Sequence, residues 1–517
     1  DADGGDTNND GNATQPARGN WNVIDFVSSS ADTLNSFKNC EFRYGGSGYY
    51  AYNYTYGVIR TTNAKVVADS CVIQQSNTTA IGVFGSADPI FTNIQINNIS
   101  GCPVAMSMFS NPTFTNISAL NIGYMALGIV PENYSVDDTI PLRNFAGYEN
   151  ITYYLYTTCT VNSGTVLTIP ASLVFKNGDF TVNGAVIVSG TSTSPVIFTD
   201  DADDSYGNPA DSKGDGSLTK PAIQGGQRIY FSDISNDSVS FVNHAIIRYR
   251  EGGITTLSSS PKIINTTFDK NNWGVYLTGV SDPIIDTCVF NNLTYAPLRT
   301  SLVSYPRSTE NNVISGRTYH AIGVLENETL VQDVTLVKRN FAGITNIPYL
   351  FGNYSIGTGA VLTISPGLVI KFFYYTGMTV RKGLIAEGGS TPDSMIVFTD
   401  FRDDFYSGDT NADTTATSPY SSYNGWYGIT FQDESLDPLC RLKNCIFRYA
   451  GLSYATAAVT AANASPTITY SSFSKNYHGI TATGSAKPVI NYCDIFQNSN
   501  YGINNVNKTF NIDARYN

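Results

Sequence analysis

Short runs of alternating apolar and polar residues recur along the whole chain, with Gly, Asn, Asp or Pro between them. Phe37-Lys38-Asn39-Cys40-Glu41-Phe42-Arg43-Tyr44-Gly45-Gly46 recurs as Leu442-Lys443-Asn444-Cys445-Ile446-Phe447-Arg448-Tyr449-Ala450-Gly451. Val242-Asn243-His244-Ala245-Ile246-Ile247-Arg248-Tyr249 is a weaker copy. A period of two predicts strands. No stretch keeps a helical period over a useful length. Shorter repeats follow. Pro89-Ile90-Phe91-Thr92-Asn93-Ile94 is answered 23 positions on by Pro112-Thr113-Phe114-Thr115-Asn116-Ile117. Pro261-Lys262-Ile263-Ile264 and Pro466-Thr467-Ile468 are each answered 22 positions on, at Pro283 and Pro488.

A unit of this length, with three short strand runs, is too small to fold alone. Stacked on copies of itself it buries a continuous core, which predicts a parallel β-helix. With coils roughly 4.8 Å apart, some twenty would make a rod on the order of 100 Å. Longer repeats lie above these. Phe198 to Phe231 reappears as Phe398 to Phe431, 200 positions on. The chain begins inside a third copy, with Asp1 matching Asp404 and Trp21 matching Trp426. A connector repeats too: Arg143-Asn144-Phe145-Ala146-Gly147 matches Arg339-Asn340-Phe341-Ala342-Gly343, and Val166-Leu167-Thr168-Ile169 matches Val361-Leu362-Thr363-Ile364. Three blocks are expected: residues 1–125 (an N-terminally truncated repeat), 126–320 and 321–517, the last two each opening with a connector that continues the helix.

Composition narrows the setting. Only 14% of the 517 residues are charged, while Tyr (34) and Gly (45) are abundant. That balance suits a sheet-rich extracellular or cell-surface protein. A net charge of −12 and the lack of a basic stripe disfavour nucleic acid and anionic membranes, but permit cations. No apolar run is long enough to span a bilayer. The eight cysteines form no C-x-x-C pair and no zinc-site spacing with His244, His320 or His478. Cys71, Cys288 and Cys493 fall at equivalent coil positions, as do Cys40 and Cys445, so free, inward-facing thiols are expected.

Taken in order, V-L-T-I-P, I-V/V-I-F-T-D, G-W-x-G-I-x-F, C-x-F-R-Y-x-G and the P-x-I coils resemble right-handed parallel β-helix repeat proteins of the secreted, cell-surface kind. The resemblance covers essentially the whole chain. It implies an all-β right-handed parallel β-helix (solenoid) built from three related blocks of about 200-residue period. It does not imply one activity, because pectin-active enzymes, tailspikes, adhesins and stalks share the fold. Asn511-Ile512-Asp513-Ala514-Arg515-Tyr516-Asn517 resembles the family's closing segment, and a longer repetitive surface protein is the implied parent.

The acidic loop between the two strands of the long repeat is the strongest candidate site. Asp6, Asn8 and Asp10, followed by Gly11, alternate oxygen ligands in the manner of a calcium loop. The third copy keeps Asp409, Asn411 and Asp413, with Thr414 in place of the glycine. The middle copy has Asp211 and Asp215, but Lys213 holds the central position, which is unfavourable for a cation. The Asp200-to-Asp204 and Asp400-to-Asp404 clusters are further ligand candidates. The competing reading is a solvated Asx-turn loop.

The other features have plainer readings. Arg43, Arg248 and Arg448 recur at one equivalent position, which suits a carboxylate partner or surface ladder better than one active site. His478 stands where Trp273 and Tyr501 stand elsewhere, as a corner filler. The Tyr clusters at 49–56, 153–156 and 420–427 read as strand-surface residues or sugar platforms. No catalytic residue is assigned. The expected protein is a structural stalk, fibre or adhesin segment with Asp-rich, calcium-binding lateral loops. Its expected partners are further copies of itself or adjoining repeats end to end, in a filament, and surface glycans. The alternatives are a polysaccharide-processing β-helix lyase or hydrolase, and a non-catalytic carbohydrate-binding adhesin.

Overall fold

The computed structural model describes residues 5–47, 57–420, 425–451, 457–507 and 509–517. These form two compact units, Asp1–Tyr249 and Arg250–Asn517. Both are stacks of short parallel strands. The helical elements among the described residues are two single turns, Pro392–Ser394 and Asp437–Leu439.

In the first unit one sheet climbs through Ile24–Phe26, Gly57–Thr62, Thr79–Phe84, Val104–Met106, Leu127–Ile129, Tyr153–Leu155, Val174–Asn177, Val196–Thr199 and Ala245–Arg248. Its register places Ile59, Ile81, Val104, Leu127, Tyr153, Phe175, Phe198 and Ile247 directly above one another. All are buried. In the second unit the corresponding column is Ile254, Val275, Leu298, Ile322, Tyr349, Ile370, Phe398, Phe447, Phe473 and Ile495. Alternation puts one residue of every pair inside, and stacking like on like fills the core.

The connectors are strands of the solenoid, as the sequence suggests, and they also turn it. In the first unit Glu41–Arg43 lies in a different sheet from Gly57–Thr62 and Thr79–Phe84. After the connector, the equivalent strand Ala245–Arg248 continues the sheet of Gly57–Thr62. The repeat has advanced by one face. The second unit does the same, with Trp273–Thr278 continued by Ile396–Asp400 and Cys445–Arg448. Successive acidic loops therefore lead into different faces: the first precedes Ile24–Phe26, whereas the second precedes Gln224–Phe231 in another sheet.

Asparagine makes many of the corners. Asn39, Asn63, Asn93, Asn98, Asn116, Asn121, Asn265, Asn292, Asn444 and Asn463 all take positive φ near 50–60°, a conformation that Asn tolerates better than most residues. Their amides then ladder between coils: Asn116 Nδ2 donates to Asn93 Oδ1 at 2.7 Å, and Asn93 Nδ2 to Asp69 Oδ1 at 3.0 Å. High Asn content is thus part of the coil geometry.

The eight cysteines are free, Cys40 half-buried and the rest buried. Burial pushes the Cys102 and Cys288 thiols up to about 12, and Cys159 and Cys440 to about 11. The thiolate is the reactive form. A disulfide-exchange reagent at pH 8 is therefore expected to titrate no more than Cys40 in the native protein and all eight thiols in denaturant. Several reactive native thiols would contradict the stacked core.

Candidate metal centre

The middle and third acidic loops each hang from a strand end that is tied down from below. In the second unit Ile396–Asp400 ends the strand. Asp400 is fully buried and clamped by Arg402, with Nε and Nη2 each 2.8 Å from its oxygens. Burial raises its pKa, against the pull of Arg402. Thr399 Oγ1 donates to Asp403 Oδ2 at 2.6 Å, and Arg448, from the next coil, lies 3.5 Å from the same oxygen. From the coil below, the fully buried Lys371 donates to the carbonyls of Asp403 (3.0 Å) and Gly408 (3.3 Å). The loop's far side is held by His320, whose backbone N–H donates to Thr410 O at 2.8 Å.

The first unit repeats the plan. Thr199 and Arg248 share Asp203 Oδ2, and Lys176 donates to Ala210 O. Met125 N–H holds Ser212 O. The recurring arginines are thus not a surface ladder at this point: Arg248 and Asp203 form a buried pair at 2.7 Å, their side chains 5% and 2% exposed. Arg43 pairs instead with Glu41. The backbone carbonyl of each recurring arginine is also reused. Trp21 Nε1 donates to Arg43 O and Trp426 Nε1 to Arg448 O, while Arg228 takes this role towards Arg248 O.

Burial lowers the Lys371 pKa to about 8, while Asp403, Asp404, Asp400 and Asp409 raise it in opposition. The sign follows from linkage. Below pH 8 the ammonium is charged in both states and its burial opposes folding. Between about 8 and 10.5 the folded chain sheds the proton first, so stability rises with pH. The gain is of order 3 kcal/mol in the cation-free protein. Urea midpoints at pH 7.5 and 10 are expected to diverge in this direction, and Lys371→Met is expected to lose that part of the pH dependence.

On this platform Asp404, Asp409 and Asp413 bring carboxylate oxygens within 4.8 Å of one another, as do Asp204, Asp211 and Asp215. Asp409 accepts from the backbone N–H of Asp413 (3.1 Å) and Thr414 (2.7 Å), which curls the loop around it. The first copy is superimposable in its bonds: Asp6 accepts from Asp10 and Gly11 at 3.1 and 2.7 Å. Gly11, Gly216 and Thr414 share φ of 68°, 62° and 65°. Thr414 therefore adopts the glycine conformation at a cost of roughly 1–2 kcal/mol, and its presence does not change the loop.

The central residue decides the chemistry. Asn411 Nδ2 donates to Asp413 Oδ2 (2.8 Å) and Thr417 Oγ1 (3.0 Å), which ties the side chain to the carboxylate group. Asn411 is only 8% exposed. Its Oδ1, Asp404 Oδ1 and Asp413 Oδ1 are all buried without a hydrogen-bond donor. Asn8 repeats this pattern towards Asp10 and Thr14, and Asp10 Oδ1 is likewise without a donor. Three buried oxygens without a donor in one loop are costly unless a cation or water sits among them. Burial and the neighbouring Asp409 and Asp413 raise the Asp404 pKa. The donor set is all oxygen, as a hard divalent ion requires.

In the middle copy Lys213 does not enter the carboxylate group. Its Nζ lies 3.2 Å from Asp201 Oδ1 and 5.7 Å from the Tyr124 ring. The equivalent of Asp201 in the second unit is Phe401. Lysine at the centre of the loop and aspartate at its base thus occur together in this copy. Sequence reasoning missed this pairing. It also missed Lys176, Lys371 and the hydroxyls of Thr14, Thr219 and Thr417, each four residues after the last Asp. Lys in the otherwise apolar Val174–Asn177 and Val369–Phe372, and the fixed Asp-to-Thr spacing, were the available signals. Asp1, the match to Asp404, lies outside the described residues.

The remaining candidates are structural. His478 is buried and stacks on Tyr501 at 5.3 Å, accepting from its backbone N–H at Nδ1. Tyr153 is a core residue, not a surface one, and Tyr154 packs on Tyr124 at 4.7 Å. The cluster at 49–56 and residues 421–424 of the third lie outside the described residues.

Residues 407–517 match the family model described as right handed beta helix region. No curated protein matches the chain. Among solved structures, an alginate lyase from Paenibacillus sp. aligns with 67% of this chain and 99% of its own length, at 12% identity and a TM-score of 0.19. At that score the likeness bears on neither activity nor substrate. The stacked parallel registers and the matched region make this chain a right-handed parallel β-helix repeat protein.

Proposed function

We propose that the chain is a structural scaffold of the cell surface or extracellular space, a segment of stalk, fibre or adhesin whose lateral acidic loops are stapled by calcium. The observation that carries the calcium reading is the convergence of the Asp404, Asp409 and Asp413 carboxylates within 4.8 Å, where Asp404 Oδ1, Asp413 Oδ1 and the adjoining Asn411 Oδ1 are buried without a donor. Calcium accepts six to eight oxygens at loosely defined angles. Asp404, Asp409, Asn411 and Asp413 would hold it, with water completing the shell. The first loop offers Asp6, Asn8 and Asp10 on the same pattern. The middle loop offers Asp204, Asp211 and Asp215, with Lys213 paired to Asp201 beside them. Repetition of the loop on successive faces supports a mechanical role better than a single active site.

Calcium at a hundredfold excess over its dissociation constant is expected to stabilise each site by about 2.7 kcal/mol. The melting temperature should rise with calcium and fall with chelator, and protease should spare the loop at 404–417. Asp413→Ala should abolish that protection while leaving the loop at 204–219 unaffected. An unchanged melting temperature would sink the calcium proposal. Parallel coils join through backbone pairing, so copies of the chain that assemble end to end would use the same bonds; micrographs of purified particles test this. The β-helix also hosts polysaccharide-processing enzymes. Incubation with polyuronate and neutral glycans separates the readings: cleavage overturns the structural one, and saturable binding without cleavage makes the chain an adhesin.

A further inference from the structure

The repeated connector supplies an internal control. Arg143 and Arg339 open the same R-N-F-A-G motif. Both reach back to the preceding coil: Arg143 Nη2 donates to Ser110 O at 2.6 Å, and Arg339 Nη2 to Ser304 O at 3.0 Å. The neighbours differ. Ser304-Tyr305-Pro306-Arg307 stands where the first unit has Ser110-Asn111-Pro112-Thr113, and Lys338 stands where it has Leu142. An amide, a hydroxyl and an aliphatic side chain have become an aromatic ring and two cations. All three changes converge with Arg339 on one cleft of about 740 Å³ in the second unit.

The cleft's cations have spare capacity. Arg307 and Lys338 are exposed, and neither joins an ion pair among the described residues. Arg307 is fixed by its Nε, which donates to Asp282 O at 3.1 Å. The Lys338 ammonium rests over Gly367, where a Cβ would come within 2.5 Å of it. Arg339 Nε and Nη1 are buried and have no acceptor. The half-exposed Tyr305 ring covers them, its centroid 4.3 Å from the guanidinium carbon. Two carboxylates share the cleft, but each is engaged by a carboxamide. Asp286 Oδ1 accepts from Asn311 at 3.0 Å, and Glu310 Oε1 from Asn340 at 3.4 Å. Three cations against two acids leave the cleft positive in a chain of net charge −12.

We propose that this cleft binds the oxyanion group, carboxylate or sulfate, of an acidic glycan. Arg307 and Lys338 contact the anion. The Tyr305 ring shifts to let it reach the Arg339 N–H groups and then lies against the sugar. Guanidinium groups suit planar and tetrahedral oxyanions because their N–H donors are held in a fixed fork. The site is distinct from the acidic loops and does not depend on the calcium reading.

Isothermal titration of the whole chain in chelator tests it, with trigalacturonate, a heparin-derived tetrasaccharide and neutral maltotriose as probes. Arg307→Thr and Lys338→Leu install the residues that the first unit carries at the same places, so the coil is kept; circular dichroism checks this. The expected result is saturable binding of one or both anionic probes and none of maltotriose, weakened at least tenfold in the double variant. Which anionic probe binds assigns carboxylate or sulfate. No saturable binding of either, equal binding of maltotriose, or unchanged affinity in the double variant overturns the proposal. Because chelator empties the loops, failure here leaves the calcium staple standing, and an absent calcium effect on melting leaves this cleft standing.

Discussion

Replacing Arg248 by alanine is expected to cost the first unit about 3–5 kcal/mol, among the largest losses available to a single change in this chain. The guanidinium lies 2.7 Å from Asp203, with both groups almost fully buried. It is also flanked by the rings of Tyr206 and Tyr249 at 5.1 and 4.9 Å. Removing it leaves a buried carboxylate held by the Thr199 hydroxyl and the Ser205 backbone N–H, with no cation in the pair. Most of the cost comes from that unpaired charge, so the double change Arg248→Met with Asp203→Leu is expected to recover a large part of it. Urea denaturation followed by far-ultraviolet circular dichroism reads the loss, and proteolysis at 201–223 reads its location. If Arg248→Ala and the double variant lose the same stability, the pair is not what holds the loop base.

Phe447→Ala is the second large effect, expected to cost about 3–5 kcal/mol in the second unit. Phe447 is fully buried and is the middle ring of a column, 4.9 Å from Phe398 and 4.7 Å from Phe473, with planes within 7° of parallel. Its removal takes contacts from both neighbours at once, and backbone pairing on either side prevents the coils from closing the gap. Phe447→Leu keeps most of the volume and is expected to cost under about 1.5 kcal/mol. A second column gives the contrast. Tyr470, Tyr492 and Tyr516 stack at 5.0 and 5.2 Å but are at least half exposed. Tyr492→Ala is expected to cost about 1 kcal/mol, the pairwise term without the burial. Similar losses for Phe447→Ala and Tyr492→Ala would mean that ring stacking, not burial, supports the column.

The coil was legible because its determinants are local. Pro-x-Ile runs, period-two alternation and Asn or Gly corners each act within a few residues, and the 22- and 23-residue spacing repeats them. Asp409, Asn411 and Asp413 were legible for the same reason, since a loop of alternating oxygens needs no distant partner to be recognised. Lys371 and His320 were not, and Arg448 was legible as a carboxylate's partner without showing which carboxylate. Each meets the acidic loop across tens of residues, from a lower coil, the next coil or the connector. Their contribution depends on which coil stacks on which, and in what register. The pairing of Lys213 with Asp201 was hidden too, because the central position of the middle loop reads as a spoiled ligand until its side chain is seen turned towards another carboxylate. Arg339 shows the converse. Its motif is repeated and so looks structural, while the cleft around it comes from Tyr305, Arg307 and Lys338, which are not repeated.

The sequence by itself determined that the chain is a stack of parallel β coils, where the corners fall and where the acidic loops are inserted, because strand period and turn chemistry are short-range properties. Tertiary structure alone decided that each connector advances the repeat by one face, and that every described loop base is clamped by residues of neighbouring coils. It also decided that Asn411 Oδ1 is buried without a donor. Those outcomes depend on register between coils and on burial, which arise only when the coils are stacked.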